Sequence, residues 1–141
     1  GAPLIPMKGA SQKIREILSE NGRVIALIDI PPALAKRCSA VAFLGHTAYF
    51  PIQSIRHAFE TGAAIYFANA DFDEHAFKHC IDFEPADLSG GPEKVAARYA
   101  NWLETHIRQR PGSWHSWGHV DAFFDAPVDD SPPTMRQATE A

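Results

Sequence analysis

Gly22-Arg23-Val24-Ile25-Ala26-Leu27-Ile28-Asp29-Ile30-Pro31-Pro32 is the most strongly apolar run of the chain, and it ends on an acid. Residues 24–28 are rich in β-branched side chains and bounded by a glycine and a double proline. That pattern predicts a strand buried on both faces, in the middle of a sheet. Asp29 follows directly, and Pro31-Pro32 forbid the ladder to continue. Open α/β sheets meet their ligands at this position, the carboxyl end of a strand. Asp29 is therefore the first candidate functional residue.

Upstream of this run, Ile14, Ile17 and Leu18 follow the i, i+3, i+4 rule of an amphipathic helix, with Ser11 as its cap and Gly22 as its left-handed stop. Downstream, Lys36 and Arg37 mark residues 33–39 as an exposed loop or turn of helix. Residues 40–43 and 47–50 flank Gly45-His46 symmetrically, which predicts a hairpin. Pro51 suits a first helical position, Ile52, Ile55 and Phe59 give that helix its buried face, and Gly62 ends it. Residues 63–70 read as another apolar strand. Beyond the acidic turn Asp71-Phe72-Asp73-Glu74, residues Phe77, His79, Ile81 and Phe83 alternate with Lys78, Cys80 and Asp82 as in a one-sided strand, paired antiparallel with the one before it.

Ser89-Gly90-Gly91-Pro92-Glu93 opens the clearest helix of the chain. Val95, Tyr99, Trp102, Leu103, His106 and Ile107 form one stripe toward the sheet, and Pro111-Gly112 stops it. The aromatic stretch Ser113-Trp114-His115-Ser116-Trp117-Gly118-His119 follows. Together these elements predict an α/β fold, a mixed central sheet with helices packed against it, as one domain over residues 1–124. Residues 125–141, rich in Pro and Asp, read as a tail that wraps the surface or is disordered.

A length of 141 residues suits one compact domain, and a net charge of −4 argues against affinity for nucleic acid by bulk electrostatics. Two cysteines, Cys38 and Cys80, make no disulfide framework and favour a reducing compartment. No apolar run reaches the roughly 20 residues that span a bilayer, and the start lacks the layout of a signal peptide. The chain reads as soluble.

Seven histidines are the overt surplus for chemistry. His115-x-x-x-His119-x-Asp121 would present two imidazoles on one helical face, as zinc ligands do, but Gly118 and the Trp pair argue against a helix and no third ligand stands out. In a strand, His75 and His79 stand about 13 Å apart, too far for one ion. Asp71, Asp73 and Glu74 suit a solvated turn better than a calcium loop. The sequence therefore calls for no metal and no cofactor. It carries no Gly-x-Ser-x-Gly elbow, phosphate-binding glycine loop or dinucleotide fingerprint, and neither cysteine lies where its pKa would fall.

The order of these pieces resembles the C-terminal half of the lipid A biosynthesis acyltransferases, the lauroyl/myristoyl-transferring branch of the lysophospholipid acyltransferase superfamily. The resemblance rests on the helix into Asn21-Gly22, the run ending in Asp29 and its Pro pair, Val41-Ala42-Phe43-Leu44-Gly45, and the helix into Thr61-Gly62-Ala63-Ala64-Ile65. Trp102-Leu103-Glu104-x-x-Ile107-Arg108-x-Arg110-Pro111-x-x-Trp114 is similar to the family's closing helix and its Pro/Trp signature. The likeness covers residues 8 to 120.

It implies transfer of a fatty acyl chain from an acyl thioester donor to a hydroxyl of a lipid or glycolipid acceptor, at the cytoplasmic face of the bacterial inner membrane. It implies Asp29, Pro31, Pro32, Phe43 and Gly45 as substrate-binding residues, although Ile30-Pro31-Pro32 replaces the more polar residues usual after the acid. The family's base is a histidine in a His-x-x-x-x-Asp/Glu motif upstream of the strand, and this chain has none there. His79-x-x-x-x-Glu84 matches literally but out of order. The expectation is a truncated portion with no catalytic residue of its own, inactive alone. Uncovered apolar surface would favour its self-association. The alternative is a non-catalytic lipid- or protein-binding domain with Trp114 and Trp117 as anchors.

Overall fold

The computed structural model describes residues 3–6 and 8–127. The expected tail falls, from residue 128 on, outside the described residues. The fold is of the mixed α/β kind: α1 (Ala10–Ser19), β1 (Cys38–Phe43), β2 (His46–Pro51), α2 (Gln53–Thr61), β3 (Tyr66–Asp73), β4 (Lys78–Pro85) and α3 (Pro92–Gln109), with 3-10 turns at Pro32–Leu34, Pro111–Ser113 and His115–Phe123. No helix among the described residues is long and apolar enough to cross a membrane.

The strands divide into two antiparallel hairpins, β1–β2 and β3–β4. Residues 22–28 belong to neither, and this corrects the expected central strand. They run without turn, bend or ladder, and Ile25 (89% exposed) and Leu27 (66%) face outward while Ile28 enters the core. The apolar pattern asks for neighbouring strands, and none of the described strands pairs with it.

Local chemistry explains the ends of the elements. Gly9, not Ser11, precedes α1, with φ 79° and no side-chain cap. At its far end Asn21 takes the left-handed conformation (φ 59°), with its N–H on Leu18 O and the Gly22 N–H on Ile17 O, a Schellman closure. Gly22 is needed for closeness instead of handedness, because a Cβ there would lie 2.7 Å from the Ile17 carbonyl oxygen. Pro51 ends β2 opposite Cys38 and does not begin α2, which starts at Gln53 and stops at Gly62 with φ 69°.

The first hairpin turns on Leu44 (φ 51°) and Gly45 (φ 82°), with Phe43 opposite His46. Positive φ at both positions marks a type I′ turn, whose twist matches the strands. Leucine is costly there, and the Leu44 N–H is held by Glu104 Oε2 of α3 at 2.8 Å. Donation from that backbone N–H, then from Arg108, holds the Glu104 carboxyl below its usual range.

Phe43, Phe50 and Phe123 are wholly buried and join Trp114 in an aromatic core, with Phe43–Phe50 centroids 5.1 Å and Phe43–Trp114 centroids 5.6 Å apart. Val95, Ala96, Ala100, Leu103 and Ile107 of α3 close it; Val95, Leu103 and Ile107 belong to the predicted stripe, while Tyr99 and Trp102 lie half-buried at its margin and Ala96 and Ala100 take their place. Trp114 is thus a core residue and not the surface anchor expected. The second hairpin reverses its expected polarity. Phe67 alone points firmly inward, toward Tyr99 and Trp102, whereas Ile81 (60% exposed) and Phe83 (67%) face solvent with Tyr66.

Candidate functional site

Asp29 sits where the apolar run bends into the proline turn, and it is only 7% exposed. Residues far along the chain enclose it. The Trp114 indole N–H donates to its Oδ2 at 3.2 Å, and the Ser116 hydroxyl donates to its backbone carbonyl at 3.3 Å. His115 brings Nδ1 to 3.8 Å from the same Oδ2 while its ring stays exposed. At that distance the two groups are near neighbours and not hydrogen-bonded, so the imidazole is left free to turn. Tyr99 lies within reach of the same charge: burial first, then the Asp29 carboxylate, pushes its hydroxyl well above the usual tyrosine range.

The other implied substrate-binding residues fall at varying distances from this cluster. Pro31 is half-buried and Pro32 buried, together opening the 3-10 turn in which Leu34 N–H donates to Pro31 O and Ala35 N–H to Pro32 O. Phe43 is fully enclosed and packs edge-on against Trp114, so it supports the indole that holds Asp29. Gly45 lies exposed at the hairpin tip. Trp114 thus links Phe43 to Asp29, and Gly45 stays outside that group.

Among the described residues no three His, Cys, Asp or Glu side chains are grouped to hold a metal ion. His119 lies at a break in the 3-10 run (φ −131°), and no helix aligns it with His115. His79 and Glu84 occupy opposite faces of β4. His79 stacks on Phe72 outside, and Glu84 accepts the Trp102 indole N–H at 2.9 Å inside. They cannot form a His–carboxylate pair.

Clefts lie elsewhere, between the β3–β4 hairpin and α3. One of about 300 Å³ is lined by Asn69, Asp71, Cys80, Asp82, His106 and Arg110, with Arg110 paired to Asp71. Another of about 400 Å³ holds Phe67, Glu84, Arg98 and Trp102. The first is polar-walled because the polar face of the hairpin is turned to the helix, whereas Phe67, Pro85, Ala86 and Trp102 make the second more apolar.

Tyr99 and Ser116 had no sequence signal linking them to Asp29, and His115 drew notice only as half of a zinc pair. A contact between positions 85 apart leaves no periodicity to read. No protein-family model matches the chain, and no curated protein matches it either.

Proposed function

We propose that the chain is the C-terminal portion of an acyltransferase-like protein, one that moves a fatty acyl group from an acyl thioester to a hydroxyl of a lipid or glycolipid. The observation that supports this most is the hydrogen bond from Trp114 to Asp29. It joins the two separate stretches that resemble the lipid A acyltransferases, the apolar run and the closing Pro/Trp segment. Asp29, Pro31 and Pro32 are assigned to the acceptor side, with Phe43 behind them in the core and Gly45 at the hairpin tip. In the transfer the acceptor oxygen attacks the thioester carbonyl, a base takes the hydroxyl proton and the thiolate leaves. That base is a histidine of a His-x-x-x-x-Asp/Glu motif outside residues 1–141, and membrane contact is peripheral, at the cytoplasmic face of the inner membrane.

The test is the complete coding region, assayed for transfer from an acyl carrier thioester to a lipid A precursor. The full protein transfers, Asp29→Asn lowers turnover at least roughly tenfold, and residues 1–141 alone are inactive. A start codon at residue 1, or no transfer by the full protein, sinks the reading.

A second reading, a lipid- or protein-binding domain, draws support from the outward apolar face of the β3–β4 hairpin. Flotation of the chain with phospholipid vesicles, abolished by Phe83→Ser, would favour it.

A further inference from the structure

Residues 23–28 take no backbone–backbone hydrogen bond from the described residues, and Ile25 and Leu27 stand outward beside this open backbone. A run of unpaired N–H and C=O groups is a template for strand addition. Its side-chain order is also symmetric about Ala26. In an antiparallel pairing of the run with its own copy, Ala26 lies opposite Ala26, Ile25 opposite Leu27 and Val24 opposite Ile28.

We infer that this segment joins two copies of the chain as an antiparallel, two-fold strand pair centred on Ala26. Burial selects the register. In this one the outward Ile25 and Leu27 of the two copies meet on one face, whereas a slip by one residue sets each of them against a residue of the opposite face. Asp29, 7% exposed and held by Trp114, stays out of the pair. The prolines at 31 and 32 lie beyond the paired stretch, so the missing N–H groups cost no ladder bond. Two-fold symmetry makes each Ile25–Leu27 contact occur twice, so the four outward side chains shield one another along the ribbon. The pairing does not depend on acyl transfer.

The experiment is light scattering of the 141-residue chain across a concentration series, with disulfide trapping in a Cys38→Ser, Cys80→Ser background. The chain is a dimer. Leu27→Lys raises its dissociation constant roughly tenfold or more, with an unchanged far-ultraviolet circular dichroism spectrum because Leu27 is exposed. Ala26→Cys traps a covalent dimer, because residue 26 faces its own copy at a separation a disulfide tolerates. Arg23→Cys does not, since the two copies of residue 23 lie at opposite ends of the pair. A monomer at every concentration overturns the inference. So does a dimer indifferent to Leu27→Lys, or equal trapping through residues 23 and 26, which would place the contact on another surface.

Discussion

The Trp114 indole N–H donates to the Asp29 carboxylate at 3.2 Å across 85 positions of chain, and both groups are buried. One bond therefore ties the apolar run to the C-terminal 3-10 segment, and Phe43 and Phe123 pack on the same indole. A buried carboxylate without its donor bears its full desolvation cost.

Trp114→Phe keeps most of the packing but removes that donor, and it should destabilise the fold by about 1–3 kcal/mol. Asp29→Asn retains an acceptor oxygen and should cost less. Urea unfolding monitored by circular dichroism measures both, and equal losses would show that the bond to the charge is immaterial.

Tyr99 should be the last tyrosine to ionise, because it packs between Phe50, Phe67 and Trp102 and faces the Asp29 charge. Its folded value lies above the ordinary 10.0, so the folded state keeps a proton that the unfolded state loses. Its contribution is complete below that pH and falls away as pH rises past it. Melting temperatures at alkaline pH should drop less in Tyr99→Phe than in the wild type.

Glu104 holds the strained Leu44 turn, and its lowered carboxyl range gives the opposite sign. Its contribution is present above the ordinary 4.5 and is lost as pH falls through the lower folded value. Glu104→Gln should flatten the acid limb of the stability profile and cost about 1 kcal/mol at neutral pH. An unchanged acid limb in thermal melts would refute this.

The two faces of the β3–β4 hairpin should respond in opposite ways to substitution. Phe67→Ala should cost about 3–5 kcal/mol, as for a core aromatic. Phe83→Ser, on the outward face, should change stability by no more than about 0.5 kcal/mol. Parallel denaturant titrations decide it, and a large loss at Phe83 would mean that its face is covered.

Much of the local structure was readable in advance. The stripe on α3, the Gly62 stop and both hairpins appear as periodicity and turn chemistry expressed over a few residues. The errors have a common cause. Residues 24–28 carry the pattern of a doubly covered strand, but a pattern does not supply neighbours, and the described strands pair elsewhere. Alternation in β4 distinguishes two faces without saying which one meets α3, and there the polar one does. Gly22 reads in the sequence as a left-handed stop, yet Asn21 takes that conformation and Gly22 is required by the Ile17 carbonyl beside it.

The sequence alone determined the mixed α/β class and the order of the two hairpins and the three helices, because these depend on contacts among residues a few positions apart. Only the tertiary structure decided that Asp29 is enclosed by Trp114, His115 and Ser116, that Phe43 stands behind that indole, and that Ile25 and Leu27 remain uncovered. Those outcomes depend on which distant surfaces meet, and burial is a property of the meeting and not of the residue.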